Sequence, residues 1–423
     1  MATLPLVEYA GRIVTLDIIR GVAVMGIFSV NVIAFAMIEA AYFNPPAYGG
    51  DTGADLALWA ANMVVIDGKM RSLFSMLFGA SMLLVIERAE AAGKLGWPVH
   101  LRRMLVLLGF GLVHYYFIWF GDILTLYAVC GLISFLFRNL PVEKQASLGA
   151  ALLLGHMLLF GGWLFTGYQA DIAAHAVNAS QSAIRDWNEG LGAYFPTPAT
   201  IADDNAIHLG SYANYARYRL SEWDDLIAET LVFIPNTVGL MLLGMAGYRS
   251  GFLTGDWNND VYRWVATRAL TIGTLCGLSI VAYDIGSDFY IIGSTAVFIV
   301  FATPFITVMA FGYAALIILL SRSFGPLAQR IAAAGRCAFS NYLGTSLLAA
   351  FFFNGWGLGL YGSLSRWQAW CFVPAFWVLM LLWSKPWLDR FRYGPFEWAW
   401  RSLSRWRWEP MRRRPRGAIP ATN

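Results

Sequence analysis

The 423 residues are 58% apolar and only 13% charged, with a formal net charge of +4. Apolar runs of membrane-spanning length recur along the whole chain. They exclude a soluble enzyme on a single anchor and make residues 1–423 one polytopic membrane domain, with no nucleic-acid partner. The cysteines, Cys130, Cys276, Cys337 and Cys371, show no CxxC spacing, and the histidines show no HxxxH or HExxH spacing, so neither a disulfide framework nor a metal site is expected.

The expected fold class is all-α, an integral membrane helix bundle of ten spans. By hydropathy they fall at 18–38, 72–87, 103–120, 122–138, 146–166, 227–247, 265–283, 291–320, 337–354 and 367–384. No cleavable signal peptide is expected, because Arg12, Asp17 and Arg20 flank the first run and no small-residue cleavage site follows it. With the N-terminus inside, 24 of the 30 Lys and Arg residues fall on the cytoplasmic side, loop after loop, which places both termini in the cytoplasm.

The first span opens with Leu16-Asp17-Ile18-Ile19-Arg20-Gly21 and carries Asn31 about three turns past Arg20, on nearly the same azimuth. An ionisable pair beside a bilayer is costly unless paired and turned inward, so Asp17, Arg20 and Asn31 are site candidates. The competing reading is an ion pair at a helix start, with Gly21 permitting close packing. Residues 39–71 form an outer loop. Lys69 and Arg71, at the outer start of the second span, run against the charge bias and call for an acidic partner or a ligand. Asp67 is the local choice.

The third span is the second focus. Arg102 and Arg103 open it on the cytoplasmic side, and His114 lies about three turns further on. Gly121-Asp122-Ile123-Leu124 then turns into the fourth span. A neutral imidazole suits a general base and a carboxylate can fix its tautomer, but Asp122 stands roughly 80° away around the helix and reaches His114 only if the turn folds back. The plain alternatives are a helix-bonding histidine, a topology signal in the two arginines and a helix cap in Asp122.

Residues 167–226 are acidic and tyrosine-rich, and are expected to form an outer-face lid of two or three short helices. The over-long eighth span carries Thr303-Pro304 at its middle, which kinks one helix or divides two half-helices. Residues 385–423 form a basic, Trp-rich cytoplasmic tail suited to anionic headgroups, with Glu397 and Arg401 at pairing distance along a helix.

Taken together, these motifs resemble the YeiB-like family of bacterial inner-membrane proteins. They are the Leu16–Gly21 opening with Asn31, Lys69 before Leu73-Phe74 and Leu77-Phe78-Gly79, His114 with Gly121–Leu124, Gly335-Arg336 with Ser340-Asn341-Tyr342, and Gly394-Pro395-Phe396-Glu397-Trp398. The match runs from about residue 12 to residue 403, and the resemblance implies a multi-pass protein of the cytoplasmic membrane. More distantly, the opening is similar to that of transmembrane acyltransferases, including heparan-alpha-glucosaminide N-acetyltransferase and bacterial sugar O-acyltransferases. In the O-acyltransferases a first-span Arg precedes a catalytic His with ten residues between them. Here Arg20 precedes Asn31 at that spacing, and an amide is no base. Arg103 and His114 reproduce the spacing on another helix.

The expected function is therefore acyl transfer from cytoplasmic acyl-CoA to an envelope glycan or related small molecule at the outer face. His114 is the base, Asp122 orients it, and Arg102 and Arg103 hold the donor's phosphates. Asp17, Arg20, Asn31, Lys69 and Asn341 complete the donor and substrate contacts. The alternatives are a transporter or exporter of a small metabolite and a non-catalytic membrane partner, and self-association into a homo-oligomer is compatible with each.

Overall fold

Pro, Gly and short polar stretches punctuate the apolar runs into helices. The computed structural model describes residues 13–191, 194–323 and 325–413. Arg12 and the tail from Arg414 onward lie outside them. The described helices are, in chain order, α1 Val14–Ala36, α2 Ala40–Phe43, α3 Gly53–Val65, α4 Lys69–Ala91, α5 Gly96–Phe117, α6 Leu124–Phe135 and α7 Val142–Ala174. Three short ones follow, α8 Gln181–Leu191, α9 Pro198–Leu209 and α10 Tyr212–Ser221. The rest are α11 Trp223–Arg249, α12 Asn259–Gly286, α13 Ile291–Thr295, α14 Ala302–Ser321, α15 Pro326–Arg336, α16 Ala338–Phe353, α17 Arg366–Trp370, α18 Phe372–Arg390 and α19 Pro395–Ser404.

Among the described residues the fold is all-helical, and seven segments are long and apolar enough to cross a membrane: α1, α3 with α4, α7, α11, α12, Ile291–Ser321 and α17 with α18. Of the ten expected spans, the other three fall on α5, α6 and α16. With 12 and 16 residues, α6 and α16 are short, because roughly 20 residues are needed at 1.5 Å each. In α5 the polar residues His100, Arg102 and Arg103 interrupt the apolar run.

Small residues set the helix crossings. A methyl group at Gly21 would overlap the Ile331 carbonyl, and one at Gly335 would overlap the Asp17 carbonyl, so α1 and α15 touch backbone to backbone. Gly79 and Gly244 do the same for α4 and α11, against the carbonyls of Met241 and Met76. Gly149 and Gly239 are each within 2.8 Å of the other's carbonyl oxygen, measured from an added methyl, and join α7 to α11. Where lipid is as apolar as the helix faces, such close approach supplies the packing energy.

The eighth expected span is one helical path with a local defect. Pro304 cannot donate to the Val300 carbonyl and its ring crowds that oxygen. The chain responds with a π-helical stretch, Ala296–Phe301, between α13 and α14. Of the expected 167–226 insertion, residues 167–174 continue α7 and residues 223–226 begin α11, with α8, α9 and α10 between them. Thr197 caps α9 ahead of Pro198, and Ser211 caps α10. The insertion docks on the bundle end through the Tyr361 hydroxyl, which donates to Asp204 at 2.5 Å, and the Gly355 amide, which donates to the His208 carbonyl at 2.9 Å.

Candidate functional site

At its lid end, α5 stops at Phe117, and the turn through Trp119 and Gly121 reverses the chain. The Trp119 amide donates back to the His114 carbonyl at 2.8 Å, which winds the turn tightly. That reversal carries the Asp122 carboxylate back onto α5. His114 Nδ1 and Asp122 Oδ1 are 2.9 Å apart, and both side chains are completely buried. An ionised carboxylate only accepts, so Nδ1 donates to it, and in a neutral ring the lone pair is then on Nε2. Asp122 Oδ2 accepts from the Thr125 amide at 2.7 Å and caps α6. His114 Nε2 is buried and has no partner among the described residues. Its ring packs at 5.2 Å from Tyr342 and 6.2 Å from Trp119.

Asp122, Trp119 and Tyr342 form one wall of a cavity of about 330 Å³. The other walls come from the lid-side halves of α1, α4, α7, α11 and the Pro304 helix. Asn31, Glu39, Tyr42, Asp67, Arg71, His156, Glu229 and Asn236 supply its polar lining, and Phe43, Phe120, Phe233 and Phe298 much of the rest. Arg71 donates to Asn236 Oδ1 at 3.2 Å and lies over the Phe233 ring. The Tyr42 hydroxyl donates to Asp67 Oδ1 at 2.7 Å. The π-helical stretch reaches the cavity through Phe298 and Ile299. Partial desolvation by the surrounding protein, and then the neighbouring Asp225 carboxylate, push the Glu39 carboxyl, which sits outside the spans, above its ordinary range.

The remaining sequence candidates lie elsewhere. Asp17 and Arg20 pair at 2.9 Å at the opposite end of α1 from Asn31, where Arg20 also donates to Ser81 Oγ at 2.6 Å and ties α1 to α4. The Lys69 ammonium is buried against the Met63 carbonyl, beside Asp67. Arg102 is exposed and turned to its own helix, donating to the Pro98 carbonyl at 3.1 Å. Arg103 stacks at 4.3 Å on Trp400 of α19, beneath the C-terminal tail. The Asn341 amide donates to the Ala334 carbonyl at 3.0 Å and accepts from Trp383 Nε1 at 2.8 Å, holding α15, α16 and α18 together. Of the nine candidates, Asn31 and Asp122 line the cavity and His114 stands directly behind its wall.

Sequence reasoning passed over Glu39, Glu229 and Asn236, and took the partnerless His156 as structural, whereas all four line the cavity. A usable signal was present on α11, where Glu229, Phe233 and Asn236 recur at four and three residues and so share one helical face. An acid just inside an apolar run marks the same position.

These features define an all-helical membrane protein with a polar cavity inside its helix bundle. Residues 247–407 match the family model described as Protein of unknown function (DUF418). The Uncharacterized protein YeiB of Escherichia coli K12 is 31% identical over 416 residues, covering 93% of this chain and 96% of that one. The Uncharacterized protein YxaH of Bacillus subtilis is 28% identical over 419 residues, covering 95% and 96%. A third relative, an uncharacterized 39.9 kDa protein from Bacillus acidopullulyticus, is 25% identical over 406 residues, covering 93% and 94%. The chain belongs to the YeiB-like DUF418 family. No solved structure matches it.

Proposed function

We propose that the protein is a membrane-embedded acyltransferase of the bacterial cytoplasmic membrane, with α5, α6 and α16 completing ten spans and both termini in the cytoplasm. The donor is acyl-CoA from the cytoplasm, and the acceptor is a glycan or related small molecule entering the lid-end cavity from outside. The observation that carries this reading is the buried His114–Asp122 pair, with an unpartnered Nε2 behind the wall of a polar cavity.

In this reading the Tyr342 ring swings aside as the acceptor enters and exposes Nε2. The acceptor's hydroxyl or amine gives its proton to Nε2 as its lone pair attacks the thioester carbonyl. The carbon–sulfur bond breaks and the departing thiolate takes the proton back from the imidazolium. Asp122 holds the tautomer and stabilises the positive ring in between. Arg102, exposed at the opposite end of α5, meets the donor's phosphates, and the tail rests on anionic headgroups through the exposed Trp406 and Trp408.

The test is acyl-CoA turnover by the full-length purified protein, with wild type compared to His114→Ala. Turnover that survives the substitution sinks the mechanism.

A second reading is a carrier of a small metabolite. It is favoured by the π-helical stretch at the cavity, since irregular helices lining a cavity are a feature of transport sites. Solute uptake into proteoliposomes driven by a proton gradient, with no acyl-CoA turnover, establishes that reading in place of the first.

A further inference from the structure

We infer that the arginines at the junction of α5 and α19 hold the phosphate of an anionic lipid headgroup, with Arg103 at the centre. The inference deepens the placement of the C-terminal tail at the membrane surface and rests on that placement, not on acyl transfer.

Two elements bring the charges together. The Trp400 indole donates to the Arg103 carbonyl at 2.9 Å, and the Arg103 guanidinium lies 4.3 Å over the Trp400 ring. These contacts dock α19 on the first turns of α5. Arg401 follows Trp400 directly, and Arg405 lies about one helical turn further on the same side. Both are close enough to Arg103 to repel it. Arg401 also rests on the Tyr393 ring at 4.5 Å.

The acids of this region are already engaged. Glu409 is buried and pairs with Arg405 at 3.0 Å and with Arg407 at 3.1 Å. Glu397 accepts from the Phe339 and Ser340 amides and from the Ser340 hydroxyl. Counting both acids against Arg103, Arg401, Arg405 and Arg407 still leaves a positive surplus, four charges against two. The charges that act on Arg103 are both arginines.

An independent observation concerns Arg103 itself. Its guanidinium is half-buried and has no hydrogen bond or ion pair among the described residues. Stacking on Trp400 uses the face of the group and leaves the N–H donors along its edge unused. A cation that is partly desolvated and pressed by two others is costly, and an anion relieves both effects. Phosphate oxygens match the planar fork of donors in pairs. The surroundings select a lipid as the source. Leu95 and Trp97 at the start of α5, and Trp406 and Trp408 beyond α19, are large apolar side chains left exposed around the arginines. Tryptophan at such a position belongs to the membrane–water boundary, where the phosphates are those of headgroups.

The test uses the full-length protein in mixed micelles with equal phosphatidylglycerol and phosphatidylcholine, and native mass spectrometry counts the lipid that stays bound. Phosphatidylglycerol is expected to be retained about tenfold more than phosphatidylcholine, as a charge-assisted contact requires. Arg103→Gln is expected to remove that preference and Arg405→Gln to weaken it. Arg103→Lys keeps the charge without the flat stacking face and is expected to hold the preference to within about threefold. Arg263→Gln, on α12, alters an exposed arginine paired with Asp260 and is expected to change nothing. A monodisperse gel-filtration profile establishes that each variant folds. Equal retention of the two lipids, a loss in Arg103→Lys as large as in Arg103→Gln, or an equal loss in Arg263→Gln overturns the inference. Millimolar inorganic phosphate that displaces the lipid also overturns it, because the arginines then bind a free phosphate. A headgroup preference without acyl-CoA turnover supports the inference and removes the transfer reading alone.

Discussion

His114 and Asp122 stand eight residues apart in sequence and meet at 2.9 Å, because the turn through Trp119 and Gly121 folds Asp122 back onto its own preceding helix. The same carboxylate caps α6 through the Thr125 amide. Asp122→Asn keeps the cap's shape but offers the imidazole an amide in place of a carboxylate, so the tautomer and the charge support are both lost. Acyl transfer is expected to fall by about 10²-fold or more, the scale of general-base catalysis. His114→Ala is expected to do the same. The double variant is expected to be no slower than either single one, because the two act as a unit. Additive losses in single-turnover rates count against a shared role.

The glycines of the opening motif and of Gly335-Arg336 meet in one place, the crossing of α1 and α15. Gly335→Ala drives a methyl into the Asp17 carbonyl and Gly21→Ala drives one into the Ile331 carbonyl. Backbone has little room to yield, so each variant is expected to lose about 1–3 kcal/mol of stability or more. Gly344→Ala in α16 is the control. A methyl there meets nothing within 4 Å, and helix propensity makes the change neutral or stabilising by about 0.5–1 kcal/mol. Thermal unfolding in detergent separates the three. Equal midpoints for Gly335→Ala and Gly344→Ala refute the close crossing.

The apolar helices were legible because burial in lipid demands apolar runs: each of the ten runs falls on a helical segment, and seven segments among the described residues are long and apolar enough to cross a membrane. Their ends were less so. Helix α12 runs Asn259–Gly286 against an expected 265–283, because hydropathy is blind to polar helix ends such as the Asn258 cap. Helix α15, short and amphipathic, escaped altogether. The cavity was legible only in part, because Glu39, His156 and Glu229 come from three elements and no single window contains them. The polarity that drew attention to Asp17 and Arg20 belongs to a helix crossing, where the pair bonds internally and to Ser81. The motif around Glu397 carried a signal whose use only the three-dimensional structure reveals.

Glu397, expected to pair along its own helix with Arg401, turns its carboxylate to the start of α16. It accepts from the Phe339 and Ser340 amides at 2.8 and 3.0 Å and from the Ser340 hydroxyl at 2.5 Å. The C-terminal tail thus caps a helix of the bundle. Glu397→Ala leaves those amides unpaired and is expected to cost about 1–2 kcal/mol. Glu397→Gln keeps an oxygen for both amides and is expected to be close to wild type. Burial raises the Glu397 carboxyl above the 4.5 of a free glutamate. The folded state therefore holds this proton more tightly than the unfolded chain does, and stability falls as pH climbs from the unfolded value through the folded one. The Gln variant is expected to lack that decline, so the wild-type midpoint should drop relative to Glu397→Gln as pH rises through this window. Parallel curves remove the burial argument.

Arg102 and Arg103 are neighbours with opposite surroundings, and this separates a donor-binding role from a structural one. Arg103 lies at 4.3 Å over Trp400, whose indole donates to the Arg103 carbonyl at 2.9 Å, so it clamps α19 to α5. Arg102 is exposed and bonds only a carbonyl of its own helix among the described partners. If the donor's phosphates dock at this end, Arg102→Ala is expected to raise KM for acyl-CoA about tenfold with kcat unchanged, because phosphate contacts remote from the thioester act equally on ground and transition states. Arg103→Ala is expected to lower the unfolding midpoint by releasing the tail, while KM for donor moves little in the folded fraction. An unchanged KM in Arg102→Ala places the donor elsewhere. A raised KM in Arg103→Ala at unchanged stability transfers the phosphate contact to the residue now assigned to the clamp.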